Sequence, residues 1–128
     1  MKTAGMFSEL GRVKQTAAQP SIRDNVGQAP LPDADRVVAY LNAGHDLIAM
    51  MDVQDDFFDS SRQVLGGSSV RTDGEWLWRD DLSYYVRRHD VRIPDDFLES
   101  IRRRHYIVPD LDDETLDRCA DEAELLMF

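Results

Sequence analysis

The chain has a single cysteine, so Cys119 has no partner for an intramolecular disulfide, and the residues are read as those of a protein kept in a reducing, cytoplasmic setting. No window approaches the ~20 consecutive apolar residues of a membrane span. The first nine residues, Met1 to Glu9, are interrupted by charge before any run long enough for a signal peptide. A soluble, unexported protein with no membrane partner is expected. Basic charge is also scarce: 15 Lys and Arg stand against 25 Asp and Glu, for a net charge of −10. A field of that sign repels phosphate backbones and argues against nucleic acid as a partner.

The motifs of several chemistries are missing as well. Gly66-Gly67-Ser68-Ser69 is followed by no Gly-Lys-Ser/Thr signature, so it reads as a strand bulge or bend and not as a phosphate loop. His45-Asp46 and His89-Asp90 repeat a dipeptide found in metallohydrolases, but neither histidine has a second one three or four positions away. The aspartates at 52, 55, 56 and 59 lack the mid-loop glycine and closing glutamate of a calcium loop. Cys119 sits among carboxylates, which raise a thiol pKa, and on an apolar helical stripe, so it is assigned to the core. No catalytic residue, metal or cofactor is called for.

What the chain does contain is enough for one domain. Its 128 residues are 42% apolar and 31% charged, a globular balance. The charge is uneven. Residues 1–31 carry four basic and two acidic groups, whereas residues 32–128 carry 11 and 23, a balance of −12. The acid gathers around Asp46, Asp52, Asp55, Asp56 and Asp59, and again at Asp110, Asp112, Asp113, Glu114, Asp117, Asp121, Glu122 and Glu124. Residues 71–105, with eight arginines and eight carboxylates, are neutral and suited to surface ion pairs.

Periodicity supplies the elements. Phe7, Leu10, Val13 and Ala17 predict a first helix over residues 6–18, weakened by Gly11, and prolines 20, 30 and 32 predict an irregular connection to residue 32. Asp33 is placed to cap a helix bearing Val37, Val38 and Leu41 that Gly44 ends. His45 to Val53 reads as a strand and Gln54 to Ser61 as a polar loop with Phe57 and Phe58 tucked inward. Val64 to Arg71 and Trp76 to Trp78 would form a hairpin about a two-residue primed turn at Asp73-Gly74. Helices then follow from Asp80 or Asp81, with Leu82, Tyr85, Val86 and His89 on one face, and from Pro94, with Phe97, Leu98 and Ile101 inward. A final helix is capped by Asp112 or Asp113. The expectation is an α+β fold, a helix-dominated single domain with a small antiparallel sheet. Residues 1–32 form an N-terminal helix and irregular connection, and residues 33–128 form the core with an acidic C-terminal helix. Trp76 and Trp78, at alternate strand positions, are assigned to the core, with Tyr85 inside and Tyr84 outside.

The run Thr72-Asp73-Gly74-Glu75-Trp76-Leu77-Trp78-Arg79-Asp80-Asp81-Leu82-Ser83-Tyr84-Tyr85-Val86, continuing to Val91-Arg92-Ile93-Pro94-Asp95-Asp96-Phe97-Leu98, resembles bacterial immunity-type proteins that accompany polymorphic or contact-delivered toxins. Tyr40-Leu41-Asn42-Ala43-Gly44 extends the resemblance to about residues 37–108. It implies a non-enzymatic binder that neutralises a cognate toxin by occluding its functional surface. The acidic balance adds that the toxin would present a basic surface. An acidic adaptor or regulatory module is the alternative. Asp52, Asp55, Asp56, Asp59, Tyr84, Asp113, Glu114, Asp117 and Asp121 are the residues expected to meet the partner.

Overall fold

Trp76–Arg79 is buried at all four positions, and the rest of the chain is arranged to cover this strand on both faces. A computed structural model describes residues 1–11, 13 and 19–128. In chain order the elements are β1 (Lys2–Ala4), a short 3-10 helix (Ile22–Asn25), α1 (Ala34–Asn42), β2 (His45–Ile48), β3 (Val53–Asp56), β4 (Asp59–Leu65), β5 (Val70–Thr72), β6 (Trp76–Arg79), α2 (Leu82–His89), α3 (Asp95–Arg103) and α4 (Asp113–Met127). The architecture is an α+β single domain. Four strands form a sheet in the order β1-β6-β5-β2, antiparallel except that β1 joins β6 in parallel, and β3 and β4 make a separate antiparallel pair. Among the described residues no helix is long and apolar enough to cross a membrane.

Alternation along β6 divides the core. Trp76 and Trp78 face α1, α2 and α3, where Trp76 stacks on Phe97 at 4.6 Å between ring centroids and Trp78 lies 6.2 Å from Tyr40. Leu77 faces the opposite way, into a smaller cluster with Met6, Val13, Val70 and Ala123, which α4 closes with Leu126 and Met127. Cys119 is buried on the same helix. α4 begins where Asp112 Oδ1 accepts the Thr115 amide at 2.8 Å, and α1 stops at Ala43 before Gly44, whose missing side chain makes room for the Trp78 ring. Tyr85 is buried as expected, whereas Tyr84 is half-buried.

Four local expectations are revised. The described part of residues 6–18 is not helical. Ser8 to Leu10 form a turn, and the Gln19 carboxamide donates to the Met6 and Gly11 carbonyls and accepts from the Val13 amide. Phe7, Leu10 and Val13 are still buried, so their spacing reported burial and not helix; Arg12 and residues 14–18, including Ala17, lie outside the described residues. Asp33 occupies the N-cap position of α1 but makes no side-chain cap, because its carboxylate accepts instead from Arg102 Nε (2.9 Å), Arg102 Nη2 (3.0 Å) and Tyr106 Oη (2.6 Å).

The β5–β6 connection is not a two-residue primed turn either. The last ladder pair is Thr72 with Leu77, and Asp73 Oδ1 accepts the Glu75 and Trp76 amides while Gly74 takes φ 97°. Finally, Val64 and Leu65 end β4 and are not part of β5. The chain bends through Gly66, at φ 65°, before Val70, which is the bend foreseen for the glycine-serine patch.

The two tryptophans differ in one respect that can be measured. Trp78 Nε1 donates to the Leu41 carbonyl at 3.1 Å, whereas the buried Trp76 Nε1 has no hydrogen-bond partner among the described residues. Trp78→Phe leaves a buried carbonyl short of a donor, and Trp76→Phe removes an orphan. Urea denaturation is expected to show Trp78→Phe costing about 1 kcal/mol or more beyond Trp76→Phe; equal losses would contradict the assignment.

Candidate protein-docking surface

The stretch Gln54 to Ser61, read as a loop, is largely strand: β3 and β4 pair from Val53–Leu65 to Asp56–Asp59, with Phe57 and Phe58 between them. Side chains alternate between the two faces of such a pair. Gln54, Asp56 and Val64 turn toward the body; Gln54 Oε1 accepts from Arg79 Nη2 at 3.4 Å, Asp56 is buried and Val64 is half-buried. Val53, Asp55, Gln63 and Leu65 turn outward and are exposed. The usual pattern of apolar inside and polar outside is reversed at two places in this hairpin, the buried Asp56 and the exposed pair Val53–Leu65.

Asp56 makes the reversal tolerable. Its Oδ2 accepts from Tyr84 Oη and meets His89 Nε2, both at 2.6 Å, and its Oδ1 accepts the Phe58 amide at 2.8 Å. Tyr85 Oη accepts the Phe57 amide at 3.0 Å, and the Phe58 ring lies 4.8 Å from the His89 ring. The tip of the hairpin is thereby fastened to α2. Burial pushes the Asp56 pKa up, but the hydrogen bonds from Tyr84 and His89 outweigh it and leave it below the usual carboxylate range. Burial and the hydrogen bond to Asp56 push the Tyr84 phenol up to about 12. Of these two residues, both expected to meet a partner, Asp56 is corrected here, because it has no exposed side chain; Tyr84, its hydrogen-bond partner, is half-buried.

The other aspartates of the first cluster fall into different environments. Asp59 is half-buried; its Oδ1 holds the Ser61 amide and hydroxyl, and its Oδ2 lies near Arg62 (3.6 Å) and Arg88 (3.9 Å). Asp46 pairs with Arg71 at 3.1 Å. Asp52 is half-buried, its Oδ1 without a hydrogen-bond partner among the described residues, and Asp55 is exposed. Neither Asp52 nor Asp55 has an ion pair among the described residues. Behind the base of the hairpin, Arg79 and Asp81 form a buried pair at 3.0 Å. Burial there drives the Asp81 carboxyl up to about 6 despite the arginine.

The second acidic cluster lies on α4, a separate element. Asp113, Asp117, Asp121 and Glu124 recur at spacings of four, four and three, one face of a helix, and Glu114 lies beside them. All five are exposed and none has an ion pair among the described residues. Like charges at such spacings cost the helix a few tenths of a kcal/mol each. The histidines serve local structure: His89 meets Asp56, and His45 Nε2 is 2.9 Å from the Pro109 carbonyl ahead of α4. Among the described residues no group of three or more His, Cys, Asp or Glu is placed to hold a metal ion.

A depressed folded-state pKa at Asp56 means that its stabilisation is present above the unfolded value of about 3.9 and is lost as pH falls through the lower folded value. Asp56→Ala should reproduce that loss at neutral pH. Amide exchange at Phe57 and Phe58 is expected to quicken by on the order of tenfold or more, with β6 amides unchanged; uniform quickening, or none, would show that the contact does not hold the hairpin.

No protein-family model matches the chain, and no curated protein and no solved structure does either.

Proposed function

We propose that the chain is a non-enzymatic acidic binding protein that neutralises a basic bacterial toxin domain by covering its functional surface. The observation that carries this reading is where unpaired charge lies. Arg71, Arg79, Arg87, Arg102 and Arg104 are each held by a carboxylate of the body, while Asp113, Glu114, Asp117, Asp121 and Glu124 of α4 and Asp55 on the hairpin face solvent with no ion pair among the described residues; Glu122 alone of the α4 carboxylates is paired, with the Met1 amino group at 3.0 Å. Evenly scattered acid would serve solubility alone; a stripe of unpaired carboxylates along one helix raises the encounter rate with a cationic protein surface. The immunity-type resemblance of residues 37–108 supplies the toxin as the class of partner, and the cytoplasm, where self-protection is needed, as the compartment.

Co-expression with the product of an adjoining toxin-like reading frame is expected to restore growth and give a complex that co-purifies. Replacing Asp113, Asp117 and Asp121 by lysine should slow association by on the order of tenfold at low salt, with the difference shrinking as salt screens it. Failure to protect or bind overturns neutralisation, and binding without protection favours the adaptor reading.

A further inference from the structure

The hairpin's reversed polarity has no explanation in folding. A two-stranded sheet lying on a body ordinarily buries its apolar face. Here the face toward the body carries the buried Asp56 and the half-buried Val64, with Gln54 exposed beside them, and the cross-strand pair Val53–Leu65 is displayed at 55% and 71% exposure. Met51, two positions before Val53, is fully exposed, and Met50 beside it is also exposed, so four large apolar side chains meet water around the base of one hairpin. Single exposed apolar residues are ordinary; a cross-strand pair extended by neighbours marks a contact surface. The surface is held in place from behind, because Asp56 fastens the tip and Gln54 meets Arg79. Little ordering cost is left for binding to meet.

We infer that the outward face of β3–β4, centred on Val53 and Leu65 with Met51 at its edge, seats the apolar side chains of a cationic protein segment. The inference deepens the neutralisation reading and rests on it for the partner's biological identity. Charge selects the occupant. Of the five carboxylates in residues 45–65, Asp46, Asp56 and Asp59 meet Arg71, His89, and Arg62 with Arg88; the exposed Asp55, on the same face as Val53, and the half-buried Asp52 have no ion pair among the described residues. A second copy of the chain would bring like charge to like charge, and an anionic lipid surface would be repelled in the same way. A segment alternating basic and apolar side chains matches both properties: its apolar side chains fall on Val53, Leu65 and Met51, and its cations reach Asp52 and Asp55. α4 then attracts and the hairpin retains, so loss of the hairpin contact acts on dissociation and loss of α4 charge acts on association.

The test titrates the isotopically labelled protein with a short synthetic peptide of alternating lysine and valine, followed by amide chemical shifts. The controls are the peptides in which serine replaces valine and glutamate replaces lysine. The expected result is saturable binding with shifts concentrated at residues 50–55 and 63–66. Affinity should be weaker by on the order of tenfold for the lysine–serine peptide and for the Val53→Ser, Leu65→Ser variant, and absent for the glutamate peptide. Both substitutions are at exposed positions, and the peptide controls on the unaltered protein decide the matter should the variant misfold. Equal binding of the lysine–serine peptide, shifts confined to α4, absence of saturable binding, or sedimentation as a dimer through this face would each overturn the inference. A seated peptide with no toxin neutralised would overturn the functional reading alone.

Discussion

A strand with no solvent-facing side is the constraint on which the rest of this structure depends. β6 buries Trp76 and Trp78 in one direction and Leu77 in the other, so its sheet needs helices on both faces. α1, α2 and α3 cover the tryptophans and α4 covers the leucine. The turn leading into β6 is held as firmly as the strand. Asp73, with no exposed side chain, accepts Tyr40 Oη at 2.7 Å and Arg104 Nη1 at 2.8 Å, as well as two amides of its own turn. One carboxylate thus joins α1, the β5–β6 turn and the end of α3, and burial together with that carboxylate raises the Tyr40 pKa above the usual phenol value. Removing one partner of so enclosed a set costs several kcal/mol, because the others are left charged or polar without water.

The same economy explains the exterior. Of the eight arginines of the central block, Arg104 is engaged by Asp73 and Glu75, Arg102 by Asp33, Arg79 by Asp81, and Arg71 by Asp46 and Asp80. Pairing draws positive charge inward and leaves excess negative charge on the elements that contribute least to the core, α4's outer face and the hairpin. Net charge alone says only that a protein is acidic; the pairing decides where the acid is available. On the proposed reading, α4 and the hairpin divide the work between encounter and retention.

Much of the scaffold was legible because local chemistry and tertiary burial agreed. α4 follows from the Asp112 cap and the spacing of Cys119, Ala123 and Met127; α2 and α3 follow from their leading aspartates and apolar stripes; the burial of both tryptophans follows from alternation. Illegibility arose where a distant residue overrode a local rule. β1 is three residues long and exists because Lys2–Ala4 meets Trp76–Trp78, some 74 positions away. The apolar spacing at Phe7, Leu10 and Val13 imitates a helix, yet Gln19 satisfies that backbone in a turn. Asp33 abandons its cap for Arg102 and Tyr106, which no local pattern announces. The hairpin is not legible in the sequence because Asp56 turns inward and the Val53–Leu65 pair outward, against the inside–outside rule by which strands are found. Its key contact, His89 with Asp56, spans 33 positions, whereas the neighbouring His-Asp dipeptides that drew notice lead instead to Asp56 and to the Pro109 carbonyl. Of the residues expected to meet a partner, Asp55 and the four on α4 are exposed with no ion pair among the described residues, Asp52, Asp59 and Tyr84 are half-buried, and Asp56 is buried in the support beneath.

The most direct test of the account is a hydrogen-exchange footprint of the complex between this protein and the basic product of its neighbouring reading frame. Protection on binding at β3–β4 and along the acidic face of α4, with β6 unchanged, is the result it predicts. Protection elsewhere with both elements still exchanging freely would contradict it.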